Sequence, residues 1–187
     1  MDNVTSKSII FSGYLNIVEY LVNNRFKRNL YAKTDINGDV CDYVVTGLVV
    51  NKKAGLAFFV KQSRPALYHL NDNTIIEAVA GNVDKGEDTT DAFIREVEEE
   101  LNITLIKSEV SYIGDKYSSP GRMAEVCSFF IAHTENMPSS NRGGLAEENE
   151  DIEIITIGLD ELRSFQSQDL KTQYLIEFYN RYVTTEY

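Results

Sequence analysis

Four things are scarce in this 187-residue chain, and each scarcity removes a class of function. Cations come first, because 18 Lys and Arg against 29 Asp and Glu leave a formal net charge of −11. A duplex-binding surface concentrates Lys and Arg to displace counterions, so no nucleic-acid partner is expected. An acidic chain that handles an anionic substrate needs divalent cations or a few local basic residues to offset the repulsion. Cys41 and Cys127, the two cysteines, stand far apart with no CxxC and no neighbouring His. They read as reduced thiols of a cytoplasmic protein, not as a structural metal site. The two histidines, His69 and His133, have no partner at metal-ligand spacing and read as structural. Finally, no stretch of about 18 apolar residues occurs, and the start MDNVTSKSII lacks a basic segment followed by an apolar run. No membrane span and no secretion signal are expected, and the location is expected to be cytoplasmic.

What is present is enough apolar content, 43% of residues, to bury one respectable core. Short apolar runs over residues 8–50, with the turn signal DINGD at residues 35–39, predict an N-terminal hairpin or small sheet. Core strands are expected at residues 44–50 and 56–62, and a short one at residues 75–80. Others are expected at residues 109–117, 126–133 and 152–157. Between residues 88 and 101 there is no Gly or Pro, and Ile94, Val97 and Leu101 recur at helical spacing, which predicts a helix capped by Asp88 or Thr89. Further helices are expected at residues 159–165 and 171–183, with a long loop over residues 134–151. Strands mixed with two or three helices give an α+β class, arranged as an αβα sandwich on a mixed sheet. Phe26 and Tyr31 read first as packing residues and second as bases' stacking partners.

The chemistry concentrates in residues 81–103, GNVDKGEDTTDAFIREVEEELNI. Glu96, Glu99 and Glu100 lie at i, i+3 and i+4, so three carboxylates share one helix face while Ile94, Val97 and Leu101 share another. Such a face repels itself unless a cation sits among the carboxylates, and Mg²⁺ is typically held by a few carboxylates together with phosphate oxygens. Gly81 allows a tight turn that aims the Ala80 carbonyl at the cation. Arg95 can pair with Glu87 or Glu99 and orient them. Asn102 ends the helix where a left-handed residue is needed, a place Asn fills after Gly.

This segment resembles the Nudix hydrolase pattern G-x5-E-x7-R-E-U-x-E-E-x-G-U, where U is apolar, at every fixed position except Asn102, where the pattern has Gly. KQSRPALY and EAVAGNVDKGE before and into it, then YSSPG at residues 117–121 with Glu125, then GLAEENEDIEI at residues 144–154, resemble the ADP-ribose and nucleoside diphosphate sugar pyrophosphatase branch. The resemblance implies a Nudix fold over residues 46–187, preceded by a small β extension, residues 1–45, that serves dimerisation. It implies that Ala80 (through its carbonyl), Glu96 and Glu100 bind Mg²⁺, with Mn²⁺ as a substitute and Glu150 joining once substrate is bound. Glu148 is the implied general base, with Glu147 competing for the role, and Glu99 is a second catalytic candidate. Arg64, Gly81, Glu125 and Lys171 are the implied substrate-binding positions.

The expected substrate is a small nucleotide sugar, ADP-ribose first, cleaved to AMP and ribose 5-phosphate, with GDP-mannose as the alternative. A non-catalytic module sensing ADP-ribose is the rival from another class. Retention of the glutamates argues against it. Relatives often place a basic residue in the strand over residues 40–47, and VCDYVVTG has none, so the base is not legible. A homodimer is expected.

Overall fold

The computed structural model describes residues 3–13, 16–32, 42–70, 74–145 and 150–183. The expected turn at residues 35–39, Cys41, Glu147 and Glu148 lie outside them. The chain divides into two compact units, one of residues 1–44 with 115–127 and the other of residues 45–114 with 128–187.

In the first unit, β1 (Val4–Phe11), β2 (Asn16–Val22) and β3 (Phe26–Ala32) form an antiparallel sheet in that order. The β2–β3 turn is made by Asn23 and Asn24, both at positive φ (54° and 52°), closed by the Arg25 N–H donating to the Val22 carbonyl at 3.0 Å. Two left-handed central residues match the twist of a hairpin, and asparagine tolerates that conformation better than other side chains bearing Cβ. The Asn23 side chain also accepts from the Asn3 N–H at 2.7 Å, fixing the start of β1. Val18 and Val22 are buried, whereas every residue of β1 is exposed. Phe26 and Tyr31 are 39% and 47% exposed, so the reading of these two as packing residues does not hold.

The second unit carries the main sheet. Its strands are β4 (Asp42–Asn51), β5 (Leu56–Ser63), β6 (Thr74–Glu77), β7 (Val79–Asn82), β8 (Val110–Tyr117), β9 (Glu125–His133), β10 (Arg142–Gly143) and β11 (Ile152–Gly158), three of which extend beyond the unit's bounds. The sheet order is β10-β11-β5-β4-β9-β8, with β6 on β5 and β7 on β4. Ala57, Phe58, Phe59 and Val60 in β5 are all fully buried, the mark of a strand covered on both faces. Helix α1 (Thr89–Leu101) covers one face through Phe93, Val97 and Leu101, and Phe93 stacks on Phe130 at 5.0 Å. Helix α2 (Leu170–Phe178) packs on the other, where Tyr174 meets Phe129 edge-on at 5.0 Å. Adjacent Phe129 and Phe130 thus serve opposite helices, as the period of two in a strand requires.

Two expectations change. The single strand over residues 75–80 is two strands, because the Ala78 N–H leaves the ladder and donates to the buried Thr172 hydroxyl of α2 at 2.8 Å. The helix expected over residues 159–165 is only a 3-10 turn at Glu161–Arg163. Leu162 is its one buried residue, too little apolar surface to hold a longer amphipathic helix. The last helix ends at Phe178 and passes into a π turn, Tyr179–Val183.

Candidate active site

The carboxylate face sits on α1, and the sequence fixes both ends of that helix. Asp88 caps the start, its side chain accepting from the Thr90 N–H at 2.9 Å, which holds its carboxyl below the usual range. Asn102 ends it at φ 54°, ψ 38°, its N–H bonded to the Glu98 carbonyl, as expected for a left-handed terminal residue. Phe93, Val97 and Leu101 clamp one side of the helix into the core, so Glu96 and Glu100 are held against β7.

Arg95 is the hub of the outer part of this face. Its Nε and Nη2 take both oxygens of Glu87, each at 3.1 Å, and its Nη1 reaches Glu96 at 2.7 Å and Glu99 at 3.0 Å. Nη2 also donates to the Asn82 carbonyl at 2.9 Å, tying the loop to the helix. The sequence offered Glu87 or Glu99 as partners; Arg95 binds both, and Glu96 as well. A guanidinium engaged on both edges is a rigid spacer between carboxylates. The Glu87 carboxyl is held below its usual range, first by Arg95.

Deeper in, the charges are not balanced. Glu100 is 3% exposed and accepts from the Ala80 N–H at 3.3 Å. Burial pushes its carboxyl well above the usual range, Glu96 and Glu150 push it further, and Arg64 opposes them. Burial likewise pushes Glu96 up to about 7; Arg95 pulls it down, and Glu99 and Glu150 add to the rise. Gly81 makes room for this group, since a Cβ there would lie 1.9 Å from the Glu96 carboxyl carbon. Its φ is not positive, so what the position requires is the close approach of Glu96 and not the tight turn expected. Oxygen donors of this kind, buried and repelling one another, suit a hard divalent cation. Among the described residues, no three acid, His or Cys side chains already enclose one. Glu150 stays at the margin of the group, its carboxylate accepting from the Leu145 N–H at 3.2 Å.

A second buried carboxylate was missed in the sequence. Glu77, at the end of β6 and 5% exposed, binds Arg64 Nε at 2.7 Å. Burial raises its carboxyl, Arg64 opposes that, and Asp169 and Lys171 act on it with opposite signs. Arg64 and Lys171 are 107 residues apart in sequence (171 − 64), yet both act on Glu77. The signal was a lone acid in the apolar run TIIEAVA, where an unpaired charge is costly. Asp169 caps α2, accepting from the Thr172 N–H and hydroxyl at 2.8 Å each, so the cap and the β6–β7 break are one hydrogen-bonded system.

The structure thus brings Ala80, Gly81, Glu96, Glu99, Glu100 and Glu150 together, with Arg64 acting on Glu100. Glu125 belongs to the first unit, where it accepts from the Cys127 thiol at 3.5 Å. Residues 117–121 are in that unit too, and the Ser119 carbonyl there accepts from the Arg122 and Met123 N–H groups at 2.9 and 2.8 Å. Burial lowers the affinity of the His133 ring for a proton.

Known proteins resemble this chain in sequence and in fold. Residues 42–179 match the NUDIX domain family. The chain is 29% identical over 160 residues to an ADP-ribose pyrophosphatase of Haemophilus influenzae, spanning 81% of this chain and 71% of that one. It is 31% identical over 169 residues to a GDP-mannose pyrophosphatase of Citrobacter koseri, spanning 81% and 85%. A crystal structure of an ADP compounds hydrolase superposes with a TM-score of 0.71 over 98% of this chain and 95% of that one, at 11% identity, a likeness of fold. With that match over most of its length, the chain belongs to the Nudix family and is a Nudix pyrophosphohydrolase.

Proposed function

We propose that the protein hydrolyses the diphosphate bond of a nucleoside diphosphate sugar, ADP-ribose by preference, with Mg²⁺ as the physiological cation and Mn²⁺ as a substitute. The observation that carries this reading is the pair Glu96 and Glu100, buried and mutually repelling against Gly81, with Arg64 close enough to act on Glu100. Enzymes of this family use divalent metal ions. In this reading Glu96, Glu100 and the Ala80 carbonyl hold the cation, with Glu150 joining when substrate is present. Bound there, the cation supplies charge neutralisation of the diphosphate and a lower pKa for an adjacent water.

The chain's own side chains then do three jobs. Arg64 and Lys171 hold phosphate oxygens, Arg64 through a planar guanidinium suited to them. Arg95 and Glu99 keep Glu96 in place. Glu148 takes the proton of the attacking water, with Glu147 as the neighbour that competes for the role. The water oxygen bonds to one phosphorus and the bridging oxygen leaves with the other phosphate, giving a nucleoside monophosphate and a sugar phosphate.

The relatives named above include enzymes for both ADP-ribose and GDP-mannose, so the substrate must be read by experiment. Steady-state rates for ADP-ribose, GDP-mannose, UDP-glucose and a dinucleoside polyphosphate, measured side by side in saturating Mg²⁺, should give ADP-ribose the highest kcat/KM and AMP as product. A higher value for GDP-mannose moves the assignment to that substrate, and turnover of none of them overturns it.

Residues 1–45 serve as a dimerisation element in the same reading. Ile9, Ile10 and Phe11 of β1 are about half exposed, at 49%, 52% and 59%, which is apolar area for a second copy to cover. Light scattering at micromolar concentration should return twice the chain mass, and a monomer overturns this part.

A further inference from the structure

Asn102 is the position at which residues 81–103 depart from the Nudix pattern, and its backbone explains only half of what it does. At φ 54° the residue ends α1 as a glycine would. Its side chain does something glycine cannot: Nδ2 donates to the Arg142 carbonyl at 2.8 Å, reaching 40 residues along the chain to β10. The same carbonyl accepts from the Ser140 hydroxyl, and the Ser140 oxygen in turn accepts from the Arg142 N–H at 3.0 Å. One residue further, Gly143 lies so close to α1 that a Cβ would fall 1.8 Å from the Glu100 carbonyl oxygen. The Gly144 N–H donates to the Glu99 carbonyl at 2.9 Å.

Three consecutive residues of β10 and its exit are therefore docked on the end of α1: Arg142 on the Asn102 amide, Gly143 against the backbone of Glu100, whose side chain belongs to the candidate cation site, and Gly144 on the backbone of Glu99 beside it. From this root the chain runs directly to Leu145, whose N–H donates to the Glu150 carboxylate at 3.2 Å and whose carbonyl accepts the Glu150 N–H at 3.2 Å. Glu150 in turn acts electrostatically on Glu96 and Glu100.

We propose that Asn102 is a positioning residue: its side-chain amide pins the Arg142–Gly144 segment to the end of α1 and so sets where Glu150 stands relative to Glu96 and Glu100. The proposal rests on the hydrolase reading above for its kinetic consequence, and on geometry alone for its structural one. Helix termination needs only a left-handed residue, so Asn102→Gly separates the two roles, keeping the backbone conformation and deleting the amide.

The test compares wild type and N102G by thermal melting, by steady-state kinetics on ADP-ribose in saturating Mg²⁺, and by exchange of the Gly144 amide hydrogen followed by NMR. Expected for N102G are a Tm no lower than wild type, a kcat reduced about fivefold or more with KM within about twofold, and Gly144 exchange about tenfold faster. N102D, which sets a carboxylate oxygen against the Arg142 carbonyl, should lose at least as much kcat. A kcat for N102G within about twofold of wild type overturns the positioning role, as does unchanged Gly144 exchange. If wild type hydrolyses no nucleoside diphosphate sugar, the functional reading fails, and the exchange rate alone then decides whether Asn102 pins the segment.

Discussion

Glu77 and Glu100 are almost equally buried, at 5% and 3% exposure, and Arg64 acts on both, yet their charges are met in opposite ways. Glu77 has a guanidinium at 2.7 Å, with Lys171 adding its field, so its negative charge is answered within the chain. Glu100 has one backbone N–H at 3.3 Å and two carboxylates acting against it. Burial of a carboxylate without a matching cation costs several kcal/mol, a cost that in the proposed function a bound divalent ion offsets. In the proposed function, Glu77 is the buried carboxylate held for structure and Glu100 the one held for chemistry.

Deleting the Glu100 charge breaks the comparison most strongly. Glu100→Gln keeps the shape and the acceptor for the Ala80 N–H, and kcat should fall by about 10³-fold or more while the fold survives. Its Tm in EDTA should equal or exceed that of wild type as pH rises, because the cost of ionising a buried carboxylate is gone. Near-normal turnover would remove α1 from the metal site. Gly81→Ala comes next: a methyl 1.9 Å from the Glu96 carboxyl carbon must displace that carboxylate, and about a 10²-fold loss of kcat is expected. Unchanged Mg²⁺ dependence in Gly81→Ala would show that Glu96 does not need its present place.

At Glu77 the sign of the stability change reverses. Glu77→Gln leaves Arg64 without its carboxylate partner, and Tm should drop by about 3–8 °C, the lower part of the range because Arg64 is 39% exposed and water offsets some of the loss. KM should rise more than kcat falls, since a loosened Arg64 weakens phosphate contact before it disturbs the water or the cation. Equal Tm for Glu77→Gln and wild type would erase the distinction between the two carboxylates.

The same distinction explains what could be read in advance. The α1 carboxylates, Arg95 as their orienter, the Asp88 cap and the left-handed Asn102 were legible because each follows from helical spacing and local backbone chemistry. The αβα layering was legible because strand-like runs alternate with helical ones, and the burial of Ala57, Phe58, Phe59 and Val60 of β5 fits it. What stayed hidden depends on contacts between distant segments. Nothing local says that Thr172 takes the Ala78 N–H and splits one strand into β6 and β7, or that Arg64 and Lys171 both act on Glu77. Gly81 was noticed for the wrong property: the sequence marks a glycine but cannot tell a turn from the approach of Glu96. The Asn102 amide reaching Arg142 was hidden for the same reason, a bond across 40 residues.

The smallest expected effect is the response of stability to pH, and it sharpens the contrast because both carboxylates titrate upward while one of them alone is free for a cation. Folding raises Glu96 from 4.5 to about 7 and raises Glu100 and Glu77 as well, chiefly by burial. The folded chain therefore holds protons that the unfolded chain has released. In EDTA, the contribution of these groups to stability is fully present below about 4.5 and is lost as pH rises through about 7. Added Mg²⁺ binds the ionised carboxylates in place of those protons, so the Tm gained from it should grow with pH across the same window. Glu100→Gln should flatten that gain, whereas Glu77→Gln should lower Tm and leave the Mg²⁺-dependent part intact. Thermal melts from about pH 5 to 8, with EDTA and with excess MgCl₂, separate these curves. A metal-free Tm that climbs with pH in this window would mean that Glu96 and Glu100 are not the strained pair described here.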